Sequence, residues 1–308
     1  TVAGDGTLRL DLNDGNASIA DTVAQGLSGT TYTTGETFTI DNTAPSVTSI
    51  VRKAGETNPT TGAAVIYTVT FSESVSPIAT GDFALTTTGT ASGSIASVSA
   101  ASGTTVDVTV NTVAGDGTLR LDLNDGNASI ADTVAQVLSS ATFTTGETFT
   151  IDNTAPSITS IVRKAGETNP TTGAAVIYTV TFSESVSPIA TGDFALTTTG
   201  TASGSIASVS AASGTTVDVT VNTVADDGTL RLDLSDGNAS IADTVAQGLS
   251  GTTFTTGETF TIDNTAPSIT GVVRKAGETN PTTGASVIYT VTFSESVSPI
   301  ATGDFALT

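Results

Sequence analysis

Ala64-Val65-Ile66-Tyr67-Thr68-Val69-Thr70-Phe71 alternates strictly enough to decide the fold. Val65, Tyr67, Val69 and Phe71 fall on one face, with Thr68 and Thr70 on the other. Period-2 alternation is the mark of a strand with one face buried and one solvated. The pattern recurs outward along the chain. Phe83 and Leu85 face inward in 82–87, Val106, Val108 and Val110 in 105–111, Leu119, Leu121 and Leu123 in 118–123, and Phe149 and Ile151 in 147–151. Two further strands are expected at 46–52 and 93–99. Gly62, Gly89, Gly103, Gly117 and Gly146 separate them. A short helical stretch is expected at 130–136.

The whole pattern returns every 111 residues without a gap. Residues 1–111 and 112–222 agree at 106 positions, and 223–308 agree with 112–197 at 78 of 86. A period this long is one domain per repeat, since solenoid turns run roughly 20–50 residues. Asp41-Asn42-Thr43-Ala44-Pro45 recurs at 152–156 and 263–267, between two apolar strands, and proline cannot join a central ladder. The domain boundary is placed there. Residues 1–44 are then the C-terminal part of one repeat, 45–155 and 156–266 are complete repeats, and 267–308 are the N-terminal part of another. Seven strands in one repeat fit an immunoglobulin-like sandwich of two sheets. The expected fold class is all-β: tandem seven-stranded immunoglobulin-like β-sandwiches arranged as a rod. Such a sandwich would lack the cysteine pair and core tryptophan of antibody domains, because the chain has neither residue.

Composition narrows the function. Asp plus Glu number 30 and Lys plus Arg 9, for a net charge of −21. The first complete repeat carries ten acids against three bases, Arg52, Lys53 and Arg120. That surface repels nucleic acid and anionic membranes, and it attracts divalent cations. No apolar run is long enough to span a bilayer. With no His and no Cys, the usual general base and thiol nucleophile are missing, and the sparse aromatics mostly occupy core positions. No enzyme is expected. No leader is visible in a chain that opens and closes in mid-repeat, the cut expected of a window on a longer, repetitive filament.

The string 67–75, Tyr-Thr-Val-Thr-Phe-Ser-Glu-Ser-Val, together with Gly81-Asp82-Phe83-Ala84-Leu85, residues 119–125 and Asp152-Asn153-Thr154-Ala155-Pro156, resembles bacterial immunoglobulin-like repeats. These occur in tandem in large cell-surface adhesins and biofilm-associated proteins. Ser74-Val75 departs from the pattern, where a proline is expected after the glutamate. The resemblance covers the whole chain. It implies an extracellular, cell-surface location and an extended stalk, often stiffened by calcium.

Strand direction independently gathers acids at one end of each repeat. For repeat 156–266 the incoming linker brings Asp152 and Asn153. The loop after the second strand brings Glu184, with Asp193 opening the third strand, and the loop after the sixth brings Asp236 and Asp243. The same positions one repeat earlier are Asp41, Glu73, Asp82, Asp125 and Asp132. Calcium takes six to eight oxygen ligands in flexible geometry, so it is the ion these acids suit; softer metals would need Cys or His. Solvated turn acids are the plainer alternative. The run 122–126 is no EF-hand loop, because its glycine comes one position early. Lys53 and Asn153 are both placed at the outgoing end, where an isopeptide bond is conceivable in principle; a solvated lysine is the better reading. Asn127-Ala128-Ser129 matches a glycosylation sequon and is read as a surface loop.

The leading expectation is a structural spacer with calcium-stiffened joints, whose partners are the neighbouring repeats of the same chain. Two alternatives stand beside it: a self-assembling matrix filament in which like chains associate, and a glycan- or protein-binding module acting through avidity.

Overall fold

The computed structural model describes residues 2–308, except the side chains of residues 112–113 and 223–225. Thr1, at the head of the 1–44 segment, lies outside the described residues. The chain divides into two compact units, Thr1–Thr154 and Ala155–Thr308. Each holds one complete sandwich and one incomplete one.

The complete sandwich of the first unit has eight strands: β1 (Val47–Arg52), β2 (Ala64–Phe71), β3 (Phe83–Thr87), β4 (Ser92–Val98), β5 (Thr105–Ala114), β6 (Gly117–Asn124), β7 (Thr142–Phe143) and β8 (Thr148–Ile151). One sheet runs β1-β2-β5-β4. In the other, β6 is central, with β3 on one edge and β7 and β8 along the opposite edge. All of these pairings are antiparallel. This is the four-plus-three arrangement of an immunoglobulin-like sandwich, with its last strand broken in two.

The alternating residues meet between the sheets. Val65, Tyr67, Val69, Val108, Val110, Leu119, Leu121 and Phe149 are buried in one core. Tyr67 sits edge-on to Phe149, with ring centroids 5.2 Å apart. Its hydroxyl crosses to the other sheet and donates to the Leu119 carbonyl at 2.6 Å. A buried phenol needs such a partner, and this one ties the sheets together while its ring fills the core. Gly117 lets the β5–β6 turn close. Its φ is +143°, and a Cβ there would overlap the Thr88 carbonyl.

The second unit repeats the design. Strands Ile158–Arg163, Ala175–Phe182, Thr216–Ala225 and Ser203–Val209 form one sheet, and Phe194–Gly200, Gly228–Ser235, Thr253–Phe254 and Thr259–Ile262 the other. Its core runs from Ile161 to Ile262, with Tyr178 edge-on to Phe260. The first core runs from Ile50 to Ile151.

Two expectations need correction. Residues 130–136 are not helical. Asp132 Oδ1 accepts the backbone N–H groups of Val134 and Gln136, both at 2.8 Å, and Ala135 takes φ +67°. An aspartate that satisfies backbone donors locally competes with a helix, and here the turn wins. The seventh strand is two pieces. Between β7 and β8 the chain leaves β6, and Glu147 N–H donates to the Ile50 carbonyl at 3.0 Å. A Cβ at Gly146 would press on Ile50, so glycine permits that approach.

The incomplete sandwiches are simpler. In 1–44, Gly6–Arg9 pairs with Thr37–Ile40, and Leu12–Asn13 with Thr31–Tyr32. In 267–308, Ile269–Arg274 pairs with Tyr289–Phe293.

Candidate metal centre

Within the first unit, three acids from distant stretches converge. Asp41 follows strand Thr37–Ile40, Glu73 lies in the β2–β3 loop, and Asp132 in the β6–β7 loop. Each offers a carboxylate oxygen, and these atoms lie within 4.8 Å of one another. The loops are built to hold them. Asp132 is 9% exposed, and its Oδ1 is engaged by Val134 and Gln136 as above. The Asp132 N–H donates to the Gln136 carbonyl at 3.0 Å. Gln136 Nε2 then reaches the Asp41 backbone carbonyl at 3.1 Å, fastening the segment that carries Asp41 to the same loop.

Two further features bear on what this group could hold. Asp132 Oδ2 is buried and has no hydrogen-bond partner. A buried carboxylate oxygen left unsatisfied is costly unless something positive completes it. The Glu73 carboxyl is pushed above its usual range, first by partial desolvation and then by the nearby charges of Asp41, Asp132 and Asp5. The donor set is all oxygen, which suits a hard divalent cation.

The expected site residues therefore divide. Asp41, Glu73 and Asp132 come together. Asp82 and Asp125 form a different, internally satisfied pair, 4% and 1% exposed. Ser129 Oγ reaches Asp82 Oδ1 at 3.2 Å and Asp125 Oδ1 at 3.1 Å. The remaining oxygens accept backbone N–H groups, Asp82 Oδ2 from Ala79 and Asp125 Oδ2 from Ile130. This pair folds the two loops onto each other. Asn153 belongs to a third arrangement. Its N–H donates to Asp116 Oδ1 at 2.7 Å and its Nδ2 to the Gly115 carbonyl at 3.0 Å. Asp152 N–H donates to the Thr60 carbonyl.

In the second unit, Asp193 and Asp236 repeat the serine-bridged pair through Ser240. Asp243 Oδ1 accepts from Val245 and Gln247, while its Oδ2 is buried without a hydrogen-bond partner. Glu184 follows strand Ala175–Phe182 as Glu73 follows β2. Asp152, Glu184 and Asp243 are the sequence counterparts of Asp41, Glu73 and Asp132.

Lys53 is neither solvated alone nor set for an isopeptide bond. Its Nζ lies 2.7 Å from Asp107 Oδ2, and Thr68 holds the other oxygen. Asp116 and Gln136 carry no site signal in the sequence. Asp116 accepts Thr154 Oγ1 as well as Asn153, and those contacts hold its carboxyl below the usual range. The partner lies 37 residues away, and no local spacing announces it.

No family model matches the chain, and no curated protein does. Among solved structures, the chain is similar to the Escherichia coli adhesin FdeC at 14% identity and a TM-score of 0.33, over 77% of this chain and 72% of that one. The D0-D1 domain of intimin gives 16% and 0.23, over 70% and 98%. Domains 4–9 of the surface layer protein SbsC give 18% and 0.21, over 80% and 36%. At such values, the sandwich assignment rests on the strand pairing itself.

Proposed function

We propose that this chain is a non-catalytic structural spacer: tandem sandwiches framed as 45–155 and 156–266, extracellular, bearing load or distance at a bacterial surface. The 111-residue near-identity supports this reading, because copying one domain supplies length rather than new chemistry. The acidic, cysteine-free composition suits a soluble exterior. Among the described residues, no helix is long and apolar enough to cross a membrane.

We further propose that Asp41, Glu73 and Asp132 hold a divalent cation, calcium by its preference for several oxygen ligands. The observation that carries this is the buried, unpartnered Asp132 Oδ2 beside two more carboxylates. Asp41 belongs to the linker segment and the other two to loops of the following sandwich. A cation bridging them would therefore restrain the linker. The test is thermal unfolding with calcium and with chelator. A ligand that binds only the folded state raises the melting temperature with concentration. A melting curve indifferent to both additions would leave these acids as solvated turns.

A further inference from the structure

The charge of the sandwich is unevenly placed. Residues 83–106 contain no charged side chain, and neither do their counterparts 194–217. Those 24 residues supply β3 and β4, the outer strands of the two sheets, which contact each other on one flank. Two of the acids nearest this flank are ion-paired, while Asp82, one residue before β3, and Asp116, whose carbonyl accepts the Thr90 N–H, are held by hydrogen bonds instead. Asp122, which accepts Thr86 Oγ1 at 2.6 Å, is paired with Arg120 at 2.7 Å, and Asp107 with Lys53. Every other acid of residues 45–155 lies off the strands: Glu147 in the break between β7 and β8 beside Arg52, Asp82 in a 3-10 turn just before β3, and the rest in loops. Two copies of so acidic a chain repel wherever those loops meet, and this flank is where they do not.

The two edges differ. The β4–β5 pairing is interrupted twice, at Ser92/Gly93 and at Ile95/Ser97. Such bulges twist an edge away from new partners. The β3–β6 register is unbroken from Phe83↔Leu123 to Thr87↔Leu119, and Phe194–Gly200 runs seven residues without a shift. Among the described residues β3 pairs only with β6, so its other edge is open. It carries no charge, no proline and no bulge, the usual guards against edge pairing.

We propose that the β3 edge, and its counterpart Phe194–Gly200, dock the same strand of a second copy of this chain. The contact would be antiparallel and self-complementary, extending the β6 sheet across two molecules. A second copy is the occupant because it brings an equally neutral strand of equal length, whereas its loops bring only acid.

The experiment uses the 308-residue chain in sedimentation from about 1 μM to about 1 mM, with far-ultraviolet melting as a check on folding. Thr87→Lys with Thr198→Lys puts a charge on both exposed edge strands. Thr61→Lys with Thr172→Lys makes the same charge change in exposed loops. The expected result is a concentration-dependent dimer that the edge variant weakens by at least about tenfold and the loop variant leaves unchanged. Added salt should not dissolve it, since no ion pair holds it. Amide exchange on the unmodified chain supplies a second reading: amides of 83–87 and 194–200 should slow as concentration rises. A chain monomeric throughout, equal association of both variants, or exchange at these strands indifferent to concentration would overturn the proposal.

Discussion

The two oxygens of Asp132 do different work, and that difference makes the site testable residue by residue. Oδ1 shapes the loop by accepting two backbone N–H groups, and Oδ2 is buried without a hydrogen-bond partner. Asp132→Asn with Asp243→Asn keeps an acceptor for the loop while removing charge from the cluster. We expect calcium affinity at the Asp41–Glu73–Asp132 site to fall by at least about tenfold, about 1.4 kcal/mol, with no loss of melting temperature in chelator. Isothermal calorimetry and thermal melts read the two halves separately. Tyr178 gives a matching prediction in the core. Its hydroxyl donates to the Leu230 carbonyl at 2.5 Å, so Tyr178→Phe leaves a buried acceptor unpaired, at a cost of about 1–3 kcal/mol in denaturant titration. Acid should act through Asp107, whose carboxyl Lys53 holds below its usual 3.8. A depressed folded pKa contributes stability above the unfolded value, lost as pH falls through the lowered one. Melting temperature in chelator should therefore drop below about pH 4, and less so in Asp107→Asn.

At the level of elements, strands were legible wherever alternation met burial. Val65, Tyr67, Val69 and Phe71 signal β2 unaided, and all four are buried. The split between β7 and β8 was not legible. It arises because Glu147 hydrogen-bonds across to Ile50, nearly a hundred residues away, and no period within 142–151 encodes that. The 130–136 turn was misread for a related reason: helix propensity there yields to Asp132 taking backbone donors. The acids were expected as one cluster, and their partition was not legible. Asp82 and Asp125 look like ligands by position, yet Ser129 and neighbouring N–H groups already satisfy them. The tight turns yield a prediction of their own. Gly117→Ala forces a Cβ against the Thr88 carbonyl at a φ that alanine rarely adopts. Circular dichroism should show the altered sandwich melting well below its neighbour.

Across the whole molecule, two cores with separate residue sets imply two unfolding events. Phe182 is 2% exposed, and Phe182→Ala should cost its own core about 3–5 kcal/mol while the transition of the other sandwich stays in place. Calorimetry showing one common, shifted transition would mean the cores are energetically joined. The central claim is that Asp41, Glu73 and Asp132 bind a divalent cation. The most direct measurement is calcium titration of the chelator-stripped chain by isothermal calorimetry, beside the Asp132→Asn, Asp243→Asn variant. The account predicts saturable binding at Asp41, Glu73 and Asp132, abolished or weakened by at least about tenfold in the variant. No heat beyond dilution, or equal binding by both chains, would contradict it.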